Sequence, residues 1–309
     1  MTINYRVFLH SYLGFMSTST LFYGEHDAIL IDATQLRSDA YRMAADIINM
    51  RKNLTHIYAS HFHPDHHFGL GILREAFPKA KLVAMPSVVR DIVYSSSDKI
   101  DTWSIDRFGD DTPASVTFPM PLHEGKLELE GHEILISGNW EGDSINNTAV
   151  WVPSIGILCA TDIAFDDWNV WFIESNVERR VKWRAAINRL SEFGARVIIP
   201  GHGSEKTMAI LRNASQDKSA KYSSCLDFTR EYINFYEEEV YSKAGTGAEL
   251  ALLLSEKYRN VKGNDFTIQW LARLLFPKSC PDSFLPLPGK PGKIFLNPFG
   301  IYDGDPPKE

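Results

Sequence analysis

The chain reads as an α/β protein, and three observations lead there. Over the first two hundred residues, short apolar runs alternate twice with stretches of helical period, with antiparallel hairpins among them. One apolar run ends in a loop holding His61, His63, Asp65 and His66, at the strand end where open α/β sheets place their ligands. Beyond Ser215 the pattern turns helical.

Taken in order, residues 5–12 are apolar-rich, and 18–23 pass through Gly24-Glu25-His26-Asp27 into 28–32, a hairpin with suitable turn chemistry. Residues 38–50 have helical spacing at Tyr41, Ala44, Ala45 and Ile48, with Ser38 as a candidate N-cap. A buried strand is predicted at 55–59, a helix at 68–77 stopped by Pro78, a strand at 80–85 and a helix at 86–94. Residues 95–121 are polar and turn-rich yet carry Trp103, Ile105 and Phe108. A patternless stretch of that length reads either as a flap over a site or as a surface excursion with its aromatics tucked inward.

Alternation returns at 127–137 around a Gly131-His132 turn, and strands 149–152 and 155–160 pair through Pro153-Ser154. Residues 177–193 predict a helix with Val181, Ala185, Ile187 and Leu190 facing inward; Arg179, Arg180, Lys182 and Arg184 then form a solvated basic face. A short strand, 196–199, runs into Pro200-Gly201-His202-Gly203. Tyr222, Leu226, Ile233, Tyr236 and Val240 mark one long helix, with two shorter ones at 248–258 and 266–276. The tail from Pro277, rich in proline and glycine, is expected to run extended over the surface or into a partner subunit. The expected organisation is a catalytic region at 1–215, a helical cap or dimerisation region at 216–276 and a tail at 277–309.

At 309 residues, 44% hydrophobic and 23% charged, the chain can bury a sizeable core. A net charge of -7 argues against nucleic acid or an anionic membrane as partner. Cys159, Cys225 and Cys280 are too few and too scattered for a disulfide framework, and no leader or membrane-spanning run is visible, so the expectation is a cytoplasmic protein.

Chemistry concentrates in Ser60-His61-Phe62-His63-Pro64-Asp65-His66-His67. Four ligands in six residues cannot complete two coordination shells, since zinc takes four nitrogen, oxygen or sulfur ligands and a catalytic site keeps a position for water. Further ligands are therefore expected at strand ends, and Asp143, Asp162 and His202 stand at such places, each beside a small residue.

This order resembles the metallo-β-lactamase-fold hydrolase superfamily over roughly residues 5–215, through the histidine loop, Thr161-Asp162 and Pro200-Gly201-His202-Gly203. The resemblance implies a four-layer αβ/βα sandwich and two divalent metal ions, zinc first, with iron or manganese as alternatives. It assigns His61 and His63 to one metal, Asp65, His66 and His202 to the other, and Asp162 to both. The family's third histidine is replaced here. Either Asn139 or Asp143 stands in its place, and Asp143, in Gly142-Asp143-Ser144-Ile145-Asn146-Asn147, fits the run without a gap and offers a carboxylate.

The implied activity is hydrolysis of an ester, lactone, lactam or thioester by a metal-bridged hydroxide, with Asp65 orienting the nucleophile and Asn147 donating to the oxyanion. Phe165 occupies a place where lactone-opening relatives carry a tyrosine. With Trp168 and Trp171 it suggests a small apolar or aromatic substrate. Two further readings stand beside this one. A mononuclear iron dioxygenase of the same fold is suggested by the two-histidine, one-carboxylate set, and a non-catalytic binding or signalling protein by the departures at Asp143 and Phe165. A homodimer through the C-terminal region is the remaining partner expectation.

Overall fold

The computed structural model describes residues 2–103, 108–287, 296–299 and 301–308. Two sheets stack face to face. The first holds β1 (Asn4–Leu9), β2 (Thr18–Tyr23), β3 (Asp27–Ile31), β4 (Asn53–Tyr58), β5 (Lys81–Ala84) and β6 (Met120–Pro121) in that spatial order. Its first three strands are antiparallel and the rest run parallel from β3 onward. The second sheet is ordered β11 (Val197–His202), β10 (Ile157–Phe165), β9 (Asn147–Val152), β8 (His132–Trp140) and β7 (Lys126–Leu129), with only β10 and β11 parallel.

Strand β3 shows how the layers arise. Its side chains alternate with period two, so Ile29 and Ile31 join the core between the sheets while Ala28 and Leu30 face outward. The outward pair meets Met43, Ala44 and Ile47 of α1 (Arg37–Asn49), together with Leu70 and Leu73. On the far side, α5 (Val177–Ser191) packs against β10. The product is an αβ/βα sandwich, as the family resemblance implies. The loops at one end, after β4, between β8 and β9 and after β11, surround a common site.

The histidine loop folds into the single turn α2 (Pro64–His67), with Pro64 at its first position, where proline's missing N–H costs nothing, and then α3 (Leu70–Ala76). The helix expected at 86–94 instead runs on as α4, Pro86–Trp103. Its polar second half hides an inward face of Ser95, Lys99, Thr102 and Trp103. Ser95 and Thr102 return their hydroxyls to the carbonyls of Asp91 and Asp98, one turn back. Ile105 lies outside the described residues.

Three other expectations change. Ser38 is not an N-cap: α1 begins after Leu36, and the amide and hydroxyl of Ser38 donate to Asp111. The inner face of α5 is Arg180, Trp183, Ala186, Ile187 and Leu190, while Val181 is 58% exposed. Arg180 is therefore no part of a solvated face. It is buried, 2.9 Å from Asp305 and from Glu237, and Tyr236 also donates to Asp305. The tail at that point is tied into the chain rather than lying over its surface.

After α6 (Glu205–Gln216), the expected single helix is α7 (Ser224–Phe235) continued by a π-helical turn, Tyr236–Tyr241. Next come α8 (Gly247–Lys257), a second π-helical turn (Asn264–Ile268) and α9 (Gln269–Leu275). Helix α7 packs on β10 and β11.

Candidate metal centre

Six of the seven candidate ligands come from a strand end or the loop that follows one. His61, His63, Asp65 and His66 follow β4; Asp143 sits in the β8–β9 loop; His202 closes β11. Asp162 lies within β10, which is longer than its apolar run suggested. Thr161 has φ +50°, a conformation costly for a β-branched residue, and the register with β11 shifts on either side of it. This local kink delivers Asp162 into the site. Gly201 makes room for it, since a Cβ there would stand 1.9 Å from Asp162 Oδ1.

The seven side chains converge, buried, in two groups: His61, His63, Asp143 and Asp162, and Asp65, His66 and His202. Within each group the ligand atoms lie inside 4.8 Å of one another. Asp162 joins them, with Oδ2 3.6 Å from His61 Nε2 and 3.1 Å from His202 Nε2, and Oδ1 3.2 Å from His66 Nε2. Asp65 Oδ2 stands 3.4 Å from His66 Nε2 and 3.3 Å from His202 Nε2. Asp143 Oδ2 is 2.8 Å from His63 Nδ1. Asn139 is exposed, with Ser87 donating to its side-chain oxygen, so of the two it is Asp143 that joins the ligand cluster.

The outer nitrogens of the four imidazoles decide what the inner ones can do. His202 Nδ1 donates to the Phe15 carbonyl at 2.8 Å, and His66 Nδ1 to the Asp32 carboxylate at 2.9 Å. His63 Nε2 donates to Glu174 at 2.5 Å. Ser60 spends its hydroxyl proton on Asp32, so His61 Nδ1 must donate to Ser60 Oγ, 3.0 Å away. Neutral imidazoles fixed in this way turn four lone pairs inward, at carboxylate oxygens.

Such a set is stable only when something positive lies between the lone pairs and the carboxylates. With protons alone, burial opposes charging, yet Asp143 and Glu174 lift His63 to about 10. Against the same opposition, Asp162 and Asp65 lift His202 to about 10 and His66 well above its ordinary value. Burial and the neighbouring imidazoles hold His61 well below its ordinary value. The Nε2 atoms of His61 and His66 and Oδ1 of Asp162 are buried without a hydrogen-bond partner. The donor set therefore fits divalent cations.

Phe165, Trp168 and Trp171 line a cavity of ≈ 40 Å³ beside the ligands, together with Phe15, Trp103 and Phe266. Phe165 stacks on His202 with ring centres 4.9 Å apart and planes 2° from parallel. Phe172, next in sequence to Trp171, lies in the core, stacked on Tyr236. Asn147 does not face the cavity. Its amide donates to Asp143 Oδ1 and to Ser144, so it orients Asp143 and has no donor aimed at a substrate.

The sequence reading missed Glu174 and Lys99, buried and 2.9 Å apart, which orient His63 from behind, and Asp32, which does the same for His66. Their signals were weak: Lys99 lies on a buried face disguised by serines, while Glu174 follows an apolar run. Only Asp32, a carboxylate closing a strand, was marked by its place.

Residues 12–92 match the family model of the metallo-beta-lactamase superfamily. The fold is similar to that of metallo-beta-lactamase IND-7 (TM-score 0.51, 20% identity, covering 71% of this chain and 86% of that one). It is similar also to the B3 metallo-beta-lactamase BLEG-1 (TM-score 0.52, 14% identity, covering 65% and 92%). No curated protein sequence matches. Among the described residues no helix is long and apolar enough to cross a membrane.

Proposed function

The chain has the metallo-β-lactamase fold, and from that premise we propose that it is a metal-dependent hydrolase cleaving an acyl bond (ester, lactone, lactam or thioester) in a small apolar or aromatic substrate. The observation that carries this reading is the set of four imidazoles, each tied by its outer nitrogen and turning a lone pair toward buried carboxylates. His61, His63, Asp143 and Asp162 would hold one divalent cation; Asp65, His66, His202 and Asp162 would hold a second. When bound, such a pair supplies a water of lowered pKa and polarises an acyl oxygen.

The chain's own residues do the rest. Asp65 borders the cavity between His66 and His202, where Oδ2 can orient the attacking water and carry its proton to the leaving group. Phe165, Trp168 and Trp171 exclude bulk water and offer faces to an apolar acyl or ring group. At ≈ 40 Å³ the cavity holds a few waters, enough for the reacting end of a substrate. Lys99 is engaged by Glu174, which supports an uncharged substrate over a carboxylate.

The test is turnover of chromogenic esters, lactones, lactams and thioesters before and after chelation, with metal content measured by elemental analysis. Activity that follows metal content supports the reading; no turnover by fully loaded protein removes it. One feature favours iron chemistry as a second reading: His61, His63 and Asp143 form a two-histidine, one-carboxylate set. Iron in the purified protein and oxygen uptake during turnover would establish that reading instead.

A further inference from the structure

Among the described residues, the cavity wall holds two polar side chains without a hydrogen-bond partner. Gln35, just beyond β3, lines the cavity and is fully buried, yet neither its amide nitrogen nor its amide oxygen has a hydrogen-bond partner. Because both atoms are unpartnered, the choice of amide orientation does not matter. The hydroxyl of Thr267, from the π-helical turn before α9, lines the same cavity and is also buried without a partner. The other polar groups of the wall are engaged: Lys99 and Glu174 with each other, and His63, Asp65, Asp143, Asp162 and His202 in the ligand clusters. Much of the remaining wall is aromatic, formed by Phe15, Trp103, Phe165, Trp168, Trp171 and Phe266.

Buried amide atoms are normally paired, and leaving both unpaired is costly. We infer that Gln35, with Thr267 on the wall of the same cavity, is a recognition element for a cis-amide edge on the substrate, such as a lactam, a cyclic imide or a primary carboxamide. The reasoning is geometric. One glutamine amide presents an N–H donor and an oxygen acceptor along a single edge. A cis-amide or carboxamide presents the complementary pair along one edge and satisfies both atoms. A trans peptide bond has its N–H and C=O on opposite sides and reaches only one. A carboxylate accepts but cannot donate, so it leaves the Gln35 oxygen facing a negative charge. The low-dielectric aromatic surround sharpens this discrimination.

This inference rests on the proposed hydrolase reading for the location of the reacting bond, and its test separates the two. The metal-loaded full chain is titrated with 2-pyrrolidinone, N-methyl-2-pyrrolidinone and cyclopentanone by calorimetry. Turnover of the 4-nitrophenyl ester of pyroglutamic acid is compared with that of 4-nitrophenyl cyclopentanecarboxylate. The expected result is about 10- to 100-fold tighter binding of 2-pyrrolidinone than of the other two rings, and a similar preference for the pyroglutamyl ester.

Gln35→Met should abolish both preferences. Gln35→Glu keeps the shape but removes the donor at neutral pH, and should do the same if the methionine variant fails to fold. Equal binding of the three rings, or a preference that survives both substitutions, overturns the inference. Selective binding with no turnover of these esters or of the chromogenic panel keeps it and removes the hydrolase; cleavage of both esters with no binding preference does the reverse.

Discussion

Glu174 Oε2 stands 2.5 Å from His63 Nε2, on the side of the imidazole away from the ligand cluster, while Glu174 Oε1 is 2.9 Å from the ammonium of Lys99. Burial alone would raise this carboxyl, yet Lys99 and His63 hold it down at about 2. It is thus an anion at working pH, fixing the His63 tautomer that turns Nδ1 toward Asp143. Glu174→Gln keeps the volume but offers an amide N–H₂ to partners that are all donors. Metal affinity should fall about 10- to 100-fold, read by competition with a chromogenic chelator. Unchanged affinity in a correctly folded variant would mean that His63 needs no support from behind.

Asp143 and Asn139 are four residues apart and have opposite fates, the first buried against His63 and the second exposed. Asp143→Ala should cost one equivalent of bound metal per chain, and Asn139→Ala none. Elemental analysis of the three proteins decides it. Equal metal in wild type and Asp143→Ala would leave His61, His63 and Asp162 as a sufficient shell.

What could be read beforehand follows from where the determining physics lies. His61, His63, Asp65 and His66 are local in sequence, and their density has no folding rationale, so they stood out. Asp162 and His202 were found by their place after apolar strands. Glu174 and Lys99 were invisible because their partnership spans 75 positions and depends on α4 running to Trp103, where backbone-returning serine and threonine hydroxyls replace the apolar period that marks a helix. Arg180 was misjudged for the related reason that its partner Asp305 lies 125 positions away. Phe165 and Trp168 could be placed beside the candidate ligands by their sequence proximity to Asp162. Gln35 had no signal at all, since an unpaired amide is a property of surroundings.

Glu130, at the β7–β8 turn, accepts from the backbone N–H groups of Glu25, His26 and Asp27 and so joins the β2–β3 turn to the other sheet. These three donors hold its carboxyl down at about 2. A carboxyl depressed in the folded state adds stability that is fully present above its unfolded value, near 4.5, and is lost as pH falls through about 2. Glu130→Gln should therefore lower the urea midpoint at pH 7, with the gap to wild type closing progressively below pH 4.5. A constant gap across that range would show that the carboxylate charge is irrelevant.

The last relationship joins the C-terminal tail to the site. Arg180 is buried with Asp305 and Glu237 at 2.9 Å each, and it also donates to the Ser175 carbonyl, one residue beyond Glu174. The tail passes so close to this loop that a Cβ on Gly304 would stand 2.2 Å from the Ile173 carbonyl oxygen. Removing one partner of a buried ion pair strands the other, which costs about 3–5 kcal/mol. Arg180→Met removes the cation shared by Asp305 and Glu237, leaving Asp305 with only the Tyr236 hydroxyl and Glu237 with only Arg184, so its unfolding free energy should fall by up to about that amount. Asp305→Ala leaves Arg180 with Glu237 and Ser175, and its loss should be smaller. Both should also quicken metal loss to a chelator, because the loop that carries Glu174 loses its brace. A measured destabilisation with no change in the rate of metal loss would confine the clasp to folding and separate it from the metal centre.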